Sequence, residues 1–132
     1  MNTHPQKLVL LWTLMVICMM LHFNYNVSGI FYGIDVVAKD ANGKPPNSLL
    51  VLRLLFNILP MLFAVMLMFF AGKAVRGFML VISALYVLAH GFHLAGILTE
   101  TPFDASQALL LGFTVALCVL QTAVAYAWTR QT

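Results

Sequence analysis

The sequence has very few charged residues: Lys, Arg, Asp and Glu make up only 8% of its 132 residues, whereas 62% are hydrophobic. Such a chain cannot cover a water-facing surface with polar side chains, so this composition excludes an ordinary soluble domain. The seven basic residues form no cluster of the kind that nucleic-acid binding requires. The expected partner is the lipid bilayer.

Acidic residues and cysteines are also scarce. The four acidic residues all fall between or at the ends of the hydrophobic segments: Asp35, Asp40, Glu100 and Asp104. No H-E-x-x-H motif and no nucleophile elbow is present, so hydrolytic chemistry finds no support. Cys18 and Cys118 form no C-x-x-C motif, which argues against thiol–disulfide exchange. We expect a binding protein rather than an enzyme.

Four segments are long and apolar enough to cross a hydrocarbon core of about 30 Å, which takes about 20 residues in a helix. We place these helices at about residues 8–28, 49–71, 77–98 and 102–128, with a loop at 29–48. The predicted fold is an all-α integral membrane protein, a single domain (1–132) that forms a four-transmembrane-helix bundle. At the start of the fourth helix, Thr101 is the expected cap, Pro102 suits the first helical position and Asp104 suits the first turn.

The basic residues indicate the orientation, because Lys and Arg are enriched in the cytoplasmic loops of membrane proteins. They precede the first segment, occupy the connection between the second and third, and follow the fourth: Lys7, Lys73, Arg76 and Arg130. We therefore predict that both termini are cytoplasmic. The short loops favour a multi-pass protein of a bacterial inner (plasma) membrane.

Polar side chains recur within the apolar segments at helical spacing, so that they share a face of each helix. One face of the first segment carries Met15, Cys18, His22 and Asn26, and one face of the third carries Ser83, Tyr86, His90 and His93. In the second segment, Arg53 and Asn57 lie one turn apart. Pro60 follows and leaves the carbonyl four residues earlier without its usual partner.

In the predicted orientation these groups lie in the outer half of the bilayer, where ionisable side chains normally face the bundle interior or a wet cavity. We therefore predict an outer-leaflet pocket lined by His22, Arg53, Asn57, Tyr86, His90 and His93. The leading hypothesis is a cofactor site. His22, His90 and His93 offer three nitrogen ligands for copper, zinc or iron. Alternatively, His22 and one histidine of the third helix are the axial ligands of haem b, with Arg53 beside a propionate.

Two rival hypotheses use the same residues. A quinone or lipid head group would take them as hydrogen-bond donors. In the other rival hypothesis, the cluster locks the helices of an accessory subunit in a larger membrane complex or a homo-oligomer, with about 0.6–2 kcal/mol for each interhelical polar contact. Met15 and Met19 are soft ligands for copper(I), but methionine is also an ordinary packing residue. Stoichiometric metal or colour in the purified protein would favour a cofactor.

Overall fold

The computed structural model describes residues 3–37, 41–101 and 103–131. Within these residues it is all-helical and contains no strand. The four long helices are α1 (His4–Ser28, continued by a 3-10 turn at Gly29–Tyr32), α2 (Asn47–Phe69), α3 (Lys73–Leu98) and α4 (Ala105–Thr129). Each is long and apolar enough to span a membrane, so the predicted set of four apolar helices is confirmed.

α1 and α3 begin earlier than the sequence predicts. α1 starts at His4, with Pro5 in its first turn, and the backbone N–H of Thr3 donates to Oε1 of Gln6 at 3.4 Å. α3 starts at Lys73, directly after Gly72. Only residues 70–72 separate the end of α2 from the start of α3. Lys73 and Arg76 therefore lie in the first turn of α3 rather than in a loop.

α4 begins later than predicted, at Ala105, because Asp104 is its N-cap. Oδ1 of Asp104 accepts hydrogen bonds from the backbone N–H groups of Ser106 at 2.8 Å and Gln107 at 3.2 Å. The expectation that Thr101 caps this helix is therefore wrong. Pro102, predicted at the first helical position, lies outside the described residues, as does Asp40 of the predicted loop.

α2 changes its hydrogen-bonding pattern in the turn that precedes Pro60 in the chain. It is α-helical over Asn47–Arg53, forms a π-helical turn over Leu54–Ile58 and is α-helical again over Leu59–Phe69. In the π turn, the N–H of Leu59 donates to the carbonyl of Leu54. The carbonyl of Leu55 would next need an N–H from Pro60, which has none. The hydroxyl of Tyr86 on α3 donates to that carbonyl instead.

α1 is central in the bundle, packed against both α2 and α4, while α3 packs against α4. In the described part of the chain, the backbones of α2 and α3 stay further apart, and aromatic side chains fill the space between them. The ring of Phe63 lies 5.6 Å from that of Phe78 and 5.0 Å from that of Trp12, which in turn lies 5.0 Å from Tyr86. Aromatic side chains thus join α1, α2 and α3 in this part of the bundle.

The start of α3 and the end of α4 meet at one end of the bundle. Arg76 donates to the backbone carbonyl of Gln131 at 2.6 Å and to that of Ala71 at 3.3 Å, and its guanidinium lies 5.5 Å from the centre of the Trp128 ring. Lys73 belongs to the same first turn of α3. This end of the bundle is therefore basic.

Candidate functional site

A cleft of about 970 Å³ opens between the C-terminal half of α1 and the first turns of α2, at the end opposite the basic one. Its apolar lining consists of Met19, Met20, Phe23, Leu49, Leu52, Phe56 and Ile58. Its polar lining consists of His22, Asn24, Asn26, Arg53, Asn57 and His93. Four of the six predicted site residues thus share one cavity: His22, Arg53, Asn57 and His93.

Gln107, on the first turn of α4, holds the α1 wall of this cleft in place. Its Oε1 lies 2.5 Å from Nδ1 of His22, and its Nε2 donates to the backbone carbonyl of His22 at 3.2 Å and to Oδ1 of Asn26 at 3.0 Å. Gln107 is only 2% exposed. We call His22, Asn26 and Gln107 the Gln107 cluster.

The Gln107 cluster fixes the tautomer of neutral His22. A backbone carbonyl can only accept, so the amide nitrogen of Gln107 must face it and the amide oxygen must face the imidazole. Nδ1 of His22 therefore carries the proton. Nε2 is then the free acceptor, in the arrangement by which an outer hydrogen bond usually orients a ligating histidine.

His93 on α3 is the nearest histidine to His22: the ring centroids are 4.7 Å apart and the planes are perpendicular. Within the described residues, no three His, Cys, Asp or Glu side chains converge as a set of metal ligands. A bis-histidine haem needs its two rings on opposite faces of a flat macrocycle. The direct contact between His22 and His93 leaves no room for one between them.

Arg53 and Asn57 lie on successive turns of α2, and Asn57 belongs to the π-helical turn. Arg53 is exposed and Asn57 is half-buried, and both line the cleft. Together they supply a positive charge and an amide at the edge of a largely apolar cavity. The structure thus places Arg53 and Asn57 in the same cavity as His22.

His90 lies deeper than the cleft lining and is fully buried. Neither of its ring nitrogens has a hydrogen-bond partner among the described residues. Its ring packs 5.1 Å from Phe56 and 6.0 Å from Tyr86. His90 therefore does not join His22 and His93 at the surface of the cavity.

Tyr86 also lies outside the cleft lining, because its hydroxyl reaches the Leu55 carbonyl in the π turn. Further from the cleft, Nε2 of Gln121 donates to the hydroxyl of Ser83 at 3.2 Å. Cys118 contacts Sδ of Met15 through its thiol at 3.7 Å, and both cysteines are free. These side chains join helices within the core.

Gln107 is not among the six predicted site residues, and the sequence assigns it only to a weaker polar stripe of the fourth segment, with Thr114, Cys118 and Gln121. It stands one turn after the Asp104 cap, and a buried amide at that position has to find partners on a neighbouring helix. The fully buried polar positions on α4 continue at Thr114 and Gln121, each seven residues further on. This seven-residue spacing was the available signal.

No protein-family model matches the sequence, and neither a curated protein nor a solved structure matches it.

Proposed function

We propose that this chain is a membrane-embedded binding protein whose cleft holds an amphiphilic membrane molecule of the lipid or quinone class. The observation that carries the proposal is the division of the cleft into apolar walls and a polar edge. Met20, Leu49 and Leu52 offer the apolar surface, and Arg53 and Asn57 offer a cation and an amide. A volume of about 970 Å³ suits a ligand well beyond the size of an ion.

Insertion into a membrane is supported by the exposed surface of the helices. Large apolar side chains such as Leu62, Phe69 and Leu109 are 54%, 73% and 76% exposed, and water would make so apolar a surface unfavourable. The basic end formed by Lys73 and Arg76 is expected on the cytoplasmic side. The cleft then opens in the outer half of a multi-pass protein of a bacterial inner membrane.

A second candidate is a transition metal ion held by His22 and His93. The observation that favours it is the Gln107 cluster, which leaves the lone pair on Nε2 of His22 available to a metal ion, while the rings of His22 and His93 are in contact. Two nitrogen ligands together with the thioether of Met19 would suit copper(I) better than zinc, because thioether sulfur is a soft ligand. Met19 lines the same cleft.

One experiment tests the proposed function and separates it from this candidate. The wild type and Leu52→Trp are purified in mild detergent, and the lipids and quinones that remain bound are quantified by mass spectrometry. Leu62→Trp is the matched control, because Leu62 is an exposed α2 leucine outside the cleft lining. We expect one class of amphiphile at constant stoichiometry in the wild type and in Leu62→Trp, and its loss in Leu52→Trp.

Equal amounts of every lipid in all three proteins would contradict the proposal.

Elemental analysis and a visible absorption spectrum of the same wild-type sample test the second candidate. The comparison protein is a His22→Ala, His90→Ala, His93→Ala triple variant. Stoichiometric metal that disappears in the triple variant would favour the ion.

A further inference from the structure

His90 is the most unfavourably placed polar side chain in the described structure. It is 0% exposed, and both Nδ1 and Nε2 lack hydrogen-bond partners. Leaving a buried polar group unpaired destabilises the fold, because the group loses its hydrogen bonds to water and gains none in return. A leucine in the same position would avoid this cost. An unpaired polar group in a core calls for an explanation, and binding is one of those recognised.

The position of His90 relative to the cleft suggests what it binds. One side chain, Phe56, both lines the cleft and packs against His90, with the two ring centroids 5.1 Å apart. His93, one turn further along α3, lines the cleft as well. The imidazole of His90 thus contacts a ring that forms part of the cleft wall.

Contact between the cleft and His90 would require the Phe56 side chain to turn. Phe56 lies in the π-helical turn, and such turns occur frequently at functional sites. The neighbouring Leu55 carbonyl is held by the Tyr86 hydroxyl, so the backbone stays anchored to α3 while the Phe56 side chain turns. The Phe56 ring is only half-buried, and rotation toward the cavity would bring the cleft into contact with His90.

We infer that His90 is the binding group at the inner end of the cleft, and that it hydrogen-bonds a carbonyl or hydroxyl oxygen of a quinone-type head group that enters beside Phe56. This inference rests on the proposed function and names the ligand within its class. A neutral imidazole offers one donor and one acceptor, which serve a quinone carbonyl and a quinol hydroxyl respectively. The surrounding rings of Phe56 and Tyr86 favour a flat, conjugated ring as the head group.

A phospholipid head group does not suit this position. A phosphate would have to give up its hydration among aromatic side chains, and burying an unpaired charge is far more costly than burying a neutral oxygen. The nearest charged residue of the cleft lining, Arg53, is exposed at the edge. The apolar tail of a quinone would lie along Leu49 and Leu52, which are part of the cleft wall.

The test measures binding and stability together in the detergent-purified protein. Binding of decylubiquinone is measured by equilibrium dialysis, and thermal unfolding is recorded for the same samples. His90→Leu is expected to unfold at a higher temperature than the wild type and to bind at least about tenfold more weakly, because it removes a hydrogen bond to the ligand together with the unpaired nitrogens. His90→Gln, which keeps a donor and an acceptor, should recover part of the binding.

The matched control is Gln121→Leu. Gln121 is also fully buried and polar, its Oε1 also has no partner among the described residues, and it lies away from the cleft. Its dissociation constant should stay within about twofold of the wild type. Wild-type binding that His90→Leu and His90→Gln both leave unchanged would overturn the inference but not the proposed function.

Two further outcomes are also decisive. A wild type that binds no quinone but retains a phospholipid in the cleft would overturn the role of His90 while the proposed function stands. A wild type that retains no amphiphile of either class would overturn both. If His90→Leu fails to fold, the His90→Gln variant decides: folded protein with unchanged affinity overturns the inference, and weakened affinity supports it.

Discussion

Gln107 on α4 contacts His22 on α1 at two atoms, the imidazole Nδ1 at 2.5 Å and the backbone carbonyl at 3.2 Å. The same amide also donates to Asn26. One buried side chain thus joins α1 to α4 at the end of the bundle where the cleft lies, and it orients His22, which lines the cleft. This relationship links the stability of the bundle to the geometry of the proposed site.

Gln107→Leu should reduce the free energy of unfolding by about 1–2 kcal/mol, because it leaves the Nδ1–H group of His22 without its acceptor. The measurement is reversible unfolding in mixed micelles, followed by circular dichroism. Gln131→Leu is the control, because Gln131 is exposed and its described contacts use only its backbone carbonyl and N–H groups. Equal stability of Gln107→Leu and wild type would mean that the Gln107 cluster contributes nothing to folding.

Tyr86→Phe should destabilise the protein by about 1–2 kcal/mol, because the Leu55 carbonyl then loses its donor. The cost should fall in a Pro60→Ala background, where residue 60 regains an N–H that the helix can use. A double-mutant cycle on the unfolding free energy measures this coupling. Additive effects of the two substitutions would show that Tyr86 does not compensate for Pro60.

Arg76→Ala should cost more than Arg130→Ala, although both remove a cation at the basic end. Arg76 joins α3 to the end of α4. Arg130 instead contacts Tyr126 of the adjoining helix α4, through a hydrogen bond to the Tyr126 hydroxyl and a cation–π contact with the Tyr126 ring. We expect a loss of about 1 kcal/mol for Arg76→Ala and less than half of that for Arg130→Ala. Thermal unfolding of both variants tests the order, and the reverse order would contradict it.

The cap of α4 should depend on pH. The hydrogen bond from the Ser106 hydroxyl, helped by the backbone N–H groups of Gln107 and Ser106, holds the pKa of Asp104 below its ordinary value of 3.8. A carboxylate whose pKa is lowered by folding stabilises the protein at pH values above the ordinary pKa of that carboxylate. That contribution is lost as the pH falls through the lowered value.

Asp104→Ala should therefore be less stable than the wild type by about 0.5–2 kcal/mol at about pH 6, and this difference should shrink toward about pH 3. Thermal unfolding at the two pH values provides the measurement. Asp35→Ala is the control, because the described Oδ1 contact of Asp35 is with Val37 in the loop rather than with a long helix. A difference that is independent of pH would contradict the capping role.

The sequence by itself determined the number and kind of the helices. Each of the four apolar segments is long enough to satisfy its backbone hydrogen bonds within one helix, so the number and kind of the helices followed from the length and composition of these segments. Helical spacing placed His22 and Asn26 on one face and His90 and His93 on another. His22, Asn26 and His93 line the cleft, whereas His90 does not.

The tertiary structure alone decided which polar groups have partners. Helical periodicity gives the face on which a residue lies, but the rotation and depth of each helix depend on how large side chains pack between helices. Packing of Phe56 and Tyr86 between α2 and α3 buried His90 away from His22. The π turn before Pro60 and the position of Gln107 likewise depend on contacts between distant segments, because their hydrogen-bond partners lie on other helices.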